Sequence, residues 1–225
     1  MDHGGGHEIG AHKVAHFAGL AFNMDTLYMT WLTMAIVIIL AIATTRSLKM
    51  VPGGVQSILE MIIEYMHEQV DANMGAKGRK VAPLVITLFV FLLVANWLGL
   101  VPGFTSPTND LNTTLGLALM IVLLVHILGV ANNGLSHFKH FIQPNPLFLP
   151  INIIEEISKP VTLSFRLFGN ILAGEILMII LGMLVPYIIP SGWLLFSVVV
   201  GIIQAFIFTI LSISYLSSAL KESHH

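Results

Sequence analysis

The chain has 225 residues, of which 56% are hydrophobic and only 10% charged, and its mean hydropathy is +0.86. An ordinary globular chain carries about 25% charged residues, so ten Lys+Arg and twelve Asp+Glu cannot cover a water-facing globule of this size. A net charge of −2 excludes a broad basic face for nucleic acid, and the lack of cysteine excludes disulfides, thiol nucleophiles and Cys-ligated metals.

Residues 1–22 are rich in Gly and His and read as a polar outer tail. A secretory signal would need a basic start and then an apolar stretch. His3, His7, His12 and His16 are closely spaced there, but a polar tail without a metal or cofactor is the expectation. Residues 24–45 form the first apolar run. Residues 54–75 differ, because Val55, Ile58, Leu59, Ile62, Ile63, Met66 and Val70 make one stripe at helical spacing. Glu60, Glu64, Glu68 and Asp71 line the other face. This predicts an amphipathic helix on the inner membrane surface with an acidic side turned to solvent or to a protein partner. Further apolar runs cover 81–101, 111–132, 150–186 and 193–217. Each is long enough to span a bilayer core of about 30 Å. The fold class is therefore an all-α integral membrane protein with five membrane helices and one amphipathic surface helix.

Basic residues set the orientation. Arg46, Lys49, Lys77, Arg79 and Lys80 separate the first and second runs, Lys139 separates the third and fourth, and Lys221 follows the fifth. The loops at 102–110 and 186–192 contain no Lys or Arg. The N-terminus is expected outside and the C-terminus inside.

Residues 150–186 as one helix would be about 54 Å long at 1.5 Å per residue. Such a helix cannot stand upright in the core, so the last two runs are expected to form a long, oblique hairpin, with Pro160 as a candidate kink. Charged groups within this hairpin need an explanation, because each costs roughly 2.5–3.5 kcal/mol at mid-bilayer on insertion scales. Glu155, Glu156 and Lys159 sit near its start, and Glu155 and Lys159 are spaced to pair. Arg166 is deeper and cannot shed its charge, with Asn170 one turn on. Glu175 lies about 900° of helical turn beyond Arg166, half a turn net, so the two face opposite sides. In the last run Ser197 and Gln204 share a face with Gly201. His126 in the third run reads as a packed, hydrogen-bonded histidine, and His224 and His225 close the chain.

The motif SFRLFGNILAGE, preceded by SKP at Ser158–Pro160 and followed by QAFIFTILSISYLS at Gln204–Ser217, resembles subunit a of the F-type ATP synthase. VPGGVQSILE at Val51–Glu60, ANWLGLVPG at Ala95–Gly103 and PTNDLNTT at Pro107–Thr114 resemble the family's other signature stretches, in the same order. Glu rather than His at position 175 looks bacterial. The resemblance implies a stator subunit of the bacterial plasma membrane. Its last two helices would face a ring of c subunits whose carboxyls carry H+ or Na+, with peripheral-stalk b subunits and other synthase subunits as partners. It maps the essential arginine onto Arg166 and the last helix's glutamine onto Gln204. Asn170, Glu175 and Ser197 fall at polar positions along the path, and Asp110 at the acidic position of the outer-loop motif. Glu175, Gln204 and Ser197 are expected in the outward half-channel, and Glu155 and Glu156 in the inward one. Some bacterial members have His where this chain has Ser197, so a Glu–His relay is not expected.

Two rivals belong to other classes. A stand-alone transporter or channel would need its own site, usually between inverted repeats, and no internal repeat is visible. A membrane hydrolase would need a motif such as HExxH or GxSxG, and neither occurs.

Overall fold

A computed structural model describes residues 14–17, 20–46, 53–101, 103–134, 146–185 and 188–220. Among the described residues the regular structure is helical apart from one short β-hairpin. The elements in order are β1 (Val14–Phe17), β2 (Leu20–Asn23), α1 (Met24–Arg46), α2 (Val55–Met74), α3 (Ala82–Leu98), α4 (Leu111–Asn133), α5 (Leu149–Leu184) and α6 (Ile188–Leu220). The strands pair antiparallel, with Val14 opposite Asn23 and Phe17 opposite Leu20. The hairpin of four-residue strands spans the end of the stretch read as a polar outer tail, whose composition says nothing of strands. His3, His7, His12, Lys13, Lys49, Lys139, Lys221, Pro186, His224 and His225 lie outside the described residues, and of His16 only the strand position is described.

Helices α1, α4, α5 and α6 are each long and apolar enough to cross a membrane, and α3 makes a fifth when joined to the helical segment before it. The break between that segment, Gln56–Lys80, and α3 is a bend of 117°. Thus α2 does not continue α3 but runs across the bundle. Gly75 closes α2 at φ +59°, where a side chain would be strained, and its N–H caps onto the Asp71 carbonyl. Met66 and Val70 are buried against the bundle, while Glu64, Glu68 and Asp71 are exposed. Within the predicted stripe, Ile62 is half-buried and Ile63 exposed. Ile58 and Met61 are exposed, while the Tyr65 ring lies 6.0 Å from that of Phe206 on α6. A helix with one side on protein and another on the lipid boundary suits the interface plane.

The core is built around α3. Leu88, Phe89, Leu92 and Leu93 meet Met66 of α2, Ile121 of α4, Leu163 and Leu167 of α5 and Phe208 of α6. Lipid-facing helices can hold threonine because its hydroxyl bonds back to the preceding turn. Thr30, Thr33, Thr44 and Thr45 each donate to the carbonyl four residues earlier, at 2.7–2.8 Å.

The two ends of the bundle differ. The basic end carries exposed Arg46, Lys77, Arg79 and Lys80, and there the Ser217 hydroxyl donates to the Asn73 carbonyl at 2.7 Å, tying α6 to α2. The loop end is organised by Asp110. Its Oδ1 accepts from the Asn112 N–H at 2.8 Å as the N-cap of α4. Its Oδ2 accepts from Asn23 Nδ2 at 2.6 Å and from Thr26 Oγ1 at 3.1 Å. One buried carboxylate thus fastens α4 to the start of α1. Asp110→Ala should lower unfolding stability by about 1–3 kcal/mol, combining a lost cap with unpaired buried donors. Thermal unfolding of the detergent-solubilised complex checks this, and Asp110→Asn, which keeps the cap acceptor, should lose less.

Helix α5 runs unbroken through Pro160 for 36 residues, about 54 Å of rise. Helix α6 has 33 residues. Both exceed a core of about 30 Å, so the pair crosses as an inclined hairpin.

Candidate functional site

The loop-end halves of α5 and α6, the end of α3 and the loop through Ser106 enclose a cavity of about 530 Å³. Its lining includes Asn96, Asn170, Glu175, Trp193, Ser197 and Gly201. Three of the polar residues picked out in the sequence, Asn170, Glu175 and Ser197, are therefore brought together. The Glu175 carboxylate accepts a hydrogen bond from Asn109 Nδ2. The Ser197 hydroxyl donates to the Trp193 carbonyl at 2.9 Å within its own helix. It faces the cavity with only its lone pairs uncommitted.

Two expected members are not in this lining. Gln204 lies one turn beyond Gly201 toward the basic end, half-buried, and makes no hydrogen bond among the described residues. The seven-residue spacing that puts it on the Ser197 face also moves it about 10 Å along the axis, past the end of the cavity. Asp110 is likewise outside the lining, because its carboxylate is engaged at the α4 cap.

Arg166 sits at the midpoint of α5, one turn beyond Asn170 toward the basic end. Its side chain is exposed, and among the described residues it has no hydrogen bond and no ion pair. The surrounding face is open: Thr162 is exposed and Phe165 is 53% exposed. Gly169 and Ala173 follow on the same face, and a Cβ on Gly169 would meet nothing within 4 Å. The guanidinium thus stands on a shallow, unfilled strip of helix. Arg166 and Gln204, on neighbouring antiparallel helices, both lie just past the same end of the cavity. Glu175 turns to the opposite side, toward Asn109, as the half-turn between it and Arg166 requires.

Glu155 and Glu156 part company. Lys159 pairs with Glu156 at 2.8 Å, not with Glu155. Spacings of three and four residues are both allowed on a helix, and the neighbours decide. Lys159 lies 5.9 Å over the Tyr215 ring of α6, and Glu156 is 3.9 Å from His126 Nδ1 of α4. Glu155 is exposed. Being eleven residues from Arg166, close to three whole turns, it shares that open face.

The model of the ATP synthase A chain family matches residues 27–217. The chain belongs to this family. ATP synthase subunit a of Desulforamulus reducens is 45% identical, over 95% of this chain and 86% of that protein. The subunit a proteins of Moorella thermoacetica and Geobacter sulfurreducens are 40% and 39% identical, each over 89% of their own length and 86% and 89% of this chain. As an ATP synthase A chain it is a multi-pass protein of a bacterial membrane, a subunit of the complex rather than an enzyme acting alone, and its partners are other ATP synthase subunits. The stand-alone transporter and the membrane hydrolase are set aside.

Several residues that organise the cavity were not among the site residues expected from the sequence. The buried Asn96 carboxamide donates to the Gly201 carbonyl and accepts from Thr108 Oγ1, both at 3.0 Å, locking α3, α6 and the loop together. Two indoles do similar work. Trp97 Nε1 donates to the Val198 carbonyl and Trp193 Nε1 to the Gly174 carbonyl, both at 3.2 Å. Asn96 and Trp97 lie within the ANWLGLVPG stretch, but the partners of Asn96 are 12 and 105 positions away.

Proposed function

We propose that this chain is the stator that passes H+ or Na+ to and from the carboxyls of a rotating c-subunit ring, with peripheral-stalk b subunits holding it in place. The observation that carries the reading is Arg166, exposed and unpaired among the described residues, at the centre of a long apolar helix. A charge there is too costly to leave against lipid. The open strip around it, narrowed by Gly169 and Ala173, is where the ring's carboxyl would pass.

The chemistry follows from electrostatics. A ring carboxyl facing lipid stays neutral or ion-loaded, because desolvation disfavours its charge. Beside Arg166 the fixed cation favours the ionised form, and the bound ion is released. The same positive charge repels a cation attempting to cross directly, so the ion must ride the ring. Each charge falling through 100 mV releases about 2.3 kcal/mol, which becomes torque.

The cavity with Asn170, Glu175 and Ser197 is the proposed outward half-channel, and Glu155, on the Arg166 face, marks the inward one. The basic end then faces the cytoplasm, with the N-terminus outside and the C-terminus inside. In this scheme Glu156 is neutralised by Lys159 and supports the wall of the path, while Gln204 sits beside Arg166 at the transfer point.

Glu175→Gln tests the path. With the complex reconstituted in liposomes, ATP-driven membrane potential should build several-fold more slowly than in the unaltered complex, while ATP hydrolysis by the detached catalytic sector is unchanged. A normal rate of potential build-up would remove Glu175 from the path.

A further inference from the structure

Glu175 has a partner that its own helix does not supply. Asn109 ends the short 3-10 turn Pro107–Asn109, is only 7% exposed, and donates through Nδ2 to Glu175 Oε2 across 66 positions of sequence. Its position is fixed from both sides. Thr108, immediately before it, donates its N–H to Ser106 Oγ at 3.3 Å and its hydroxyl to Asn96. Asp110, immediately after it, is held by Asn112, Asn23 and Thr26. The carboxamide is thus delivered to the carboxylate by a turn that cannot easily move. Its other atom, Oδ1, is buried and has no hydrogen-bond partner among the described residues.

The choice of an amide has a chemical consequence. A fixed cation beside Glu175 would hold it ionised, and a second carboxylate would hold a proton on it. Either would obstruct a group that must take up a proton and give it away. A carboxamide is neutral and two-sided. Its N–H donates to the carboxylate, and after rotation its Oδ1 accepts from the protonated carboxyl. We propose that Asn109 is the positioning residue for proton transfer through Glu175, holding the carboxyl in place in both its charged and its neutral form. This rests on the reading of Glu175 as a member of the ion path, with H+ as the ion. The proton arrives on Glu175 from the loop end and leaves toward the ring, and Asn109 is unchanged by the cycle.

Exchanging the two groups tests the proposal. Asn109→Asp is close to isosteric but sets two carboxyls against each other. Glu175→Gln added to it restores an amide–carboxylate hydrogen bond with its direction reversed. The whole synthase is reconstituted in liposomes, and the rate of ATP-driven potential build-up is scaled to the subunit a incorporated. Asn109→Asp should slow the rate at least about threefold. The double variant should match or exceed Glu175→Gln alone, because the new pair is re-formed. A normal rate in Asn109→Asp, or a double variant slowed by the product of the two single effects, overturns the proposal and leaves Asn109 as packing. If Asn109→Asp does not assemble, recovery of assembly in the double variant supports the pairing, and failure of both overturns it. A normal rate in Glu175→Gln alone removes the underlying reading of Glu175 instead.

Discussion

Arg166→Ala should abolish ATP synthesis and ATP-driven ion pumping together while leaving the complex assembled. Both halves of this expectation come from one property of the side chain. Arg166 is exposed and makes no hydrogen bond or ion pair among the described residues, so truncating it leaves no cavity and no orphaned partner. Substitutions at such positions usually change stability by no more than about 0.5 kcal/mol. The loss falls on electrostatics. Without the guanidinium nothing favours ionisation of a ring carboxyl in the apolar strip beside Phe165 and Gly169. The barrier to an ion crossing directly goes with it. Purified complex containing every subunit but unable to build a potential on ATP addition is the expected result. Vesicles that still energise would sink the stator reading.

Gly99→Ala should have the largest structural effect for the smallest chemical change. Gly99 follows α3 and lines the cavity. A Cβ there would lie 2.6 Å from the Ser106 Cβ, 3.0 Å from its backbone N and 3.1 Å from its Cα. Two of those are backbone atoms and the third is the Cβ bonded rigidly to them, not the end of a flexible side chain, so the loop itself must shift. Ser106 donates to the Ala95 carbonyl at 2.9 Å and receives the Thr108 N–H, and Asn109 follows directly. Overpacking of this kind costs about 1–3 kcal/mol. Thermal unfolding of the solubilised complex should drop accordingly, and ion flux should slow, because Asn109 is dislodged from Glu175. Gly116→Ala is the control. A Cβ there meets nothing within 4 Å, and within helix α4 the change should be neutral or stabilising by about 0.5–1 kcal/mol. Equal destabilisation by both substitutions would contradict the steric account.

Features that depend on spacing along one helix were legible in the sequence. The apolar runs mark the membrane helices, and the α2 stripe marks a helix turned across the bundle. Arg166 stands out because no partner lies within reach on its own helix, and the half-turn to Glu175 follows from counting. Features that depend on neighbours were not legible. Glu155 and Glu156 are both spaced to meet Lys159, and only the positions of His126 on α4 and Tyr215 on α6 select Glu156. The axial rise that carries Gln204 past the cavity was available from the count, but the cavity's end was not. Asn109 looks like an ordinary turn residue until α5 is packed beside it. The β1–β2 hairpin was not legible because strands of four residues leave little mark on the composition of a Gly- and His-rich tail.

The three bonds that join α3, α5 and α6 near the cavity share one kind of acceptor. Asn96 on Gly201, Trp97 on Val198 and Trp193 on Gly174 all end on main-chain carbonyls. A side-chain acceptor can swing to another rotamer under load, whereas a helix carbonyl moves only if its helix moves. A stator feels the recoil of every step its rotor takes. In the proposed role, low compliance at these junctions means that little of the work of a step would be lost in bending the hairpin, and the spacing between the Arg166 strip and the ring would be held constant from one step to the next.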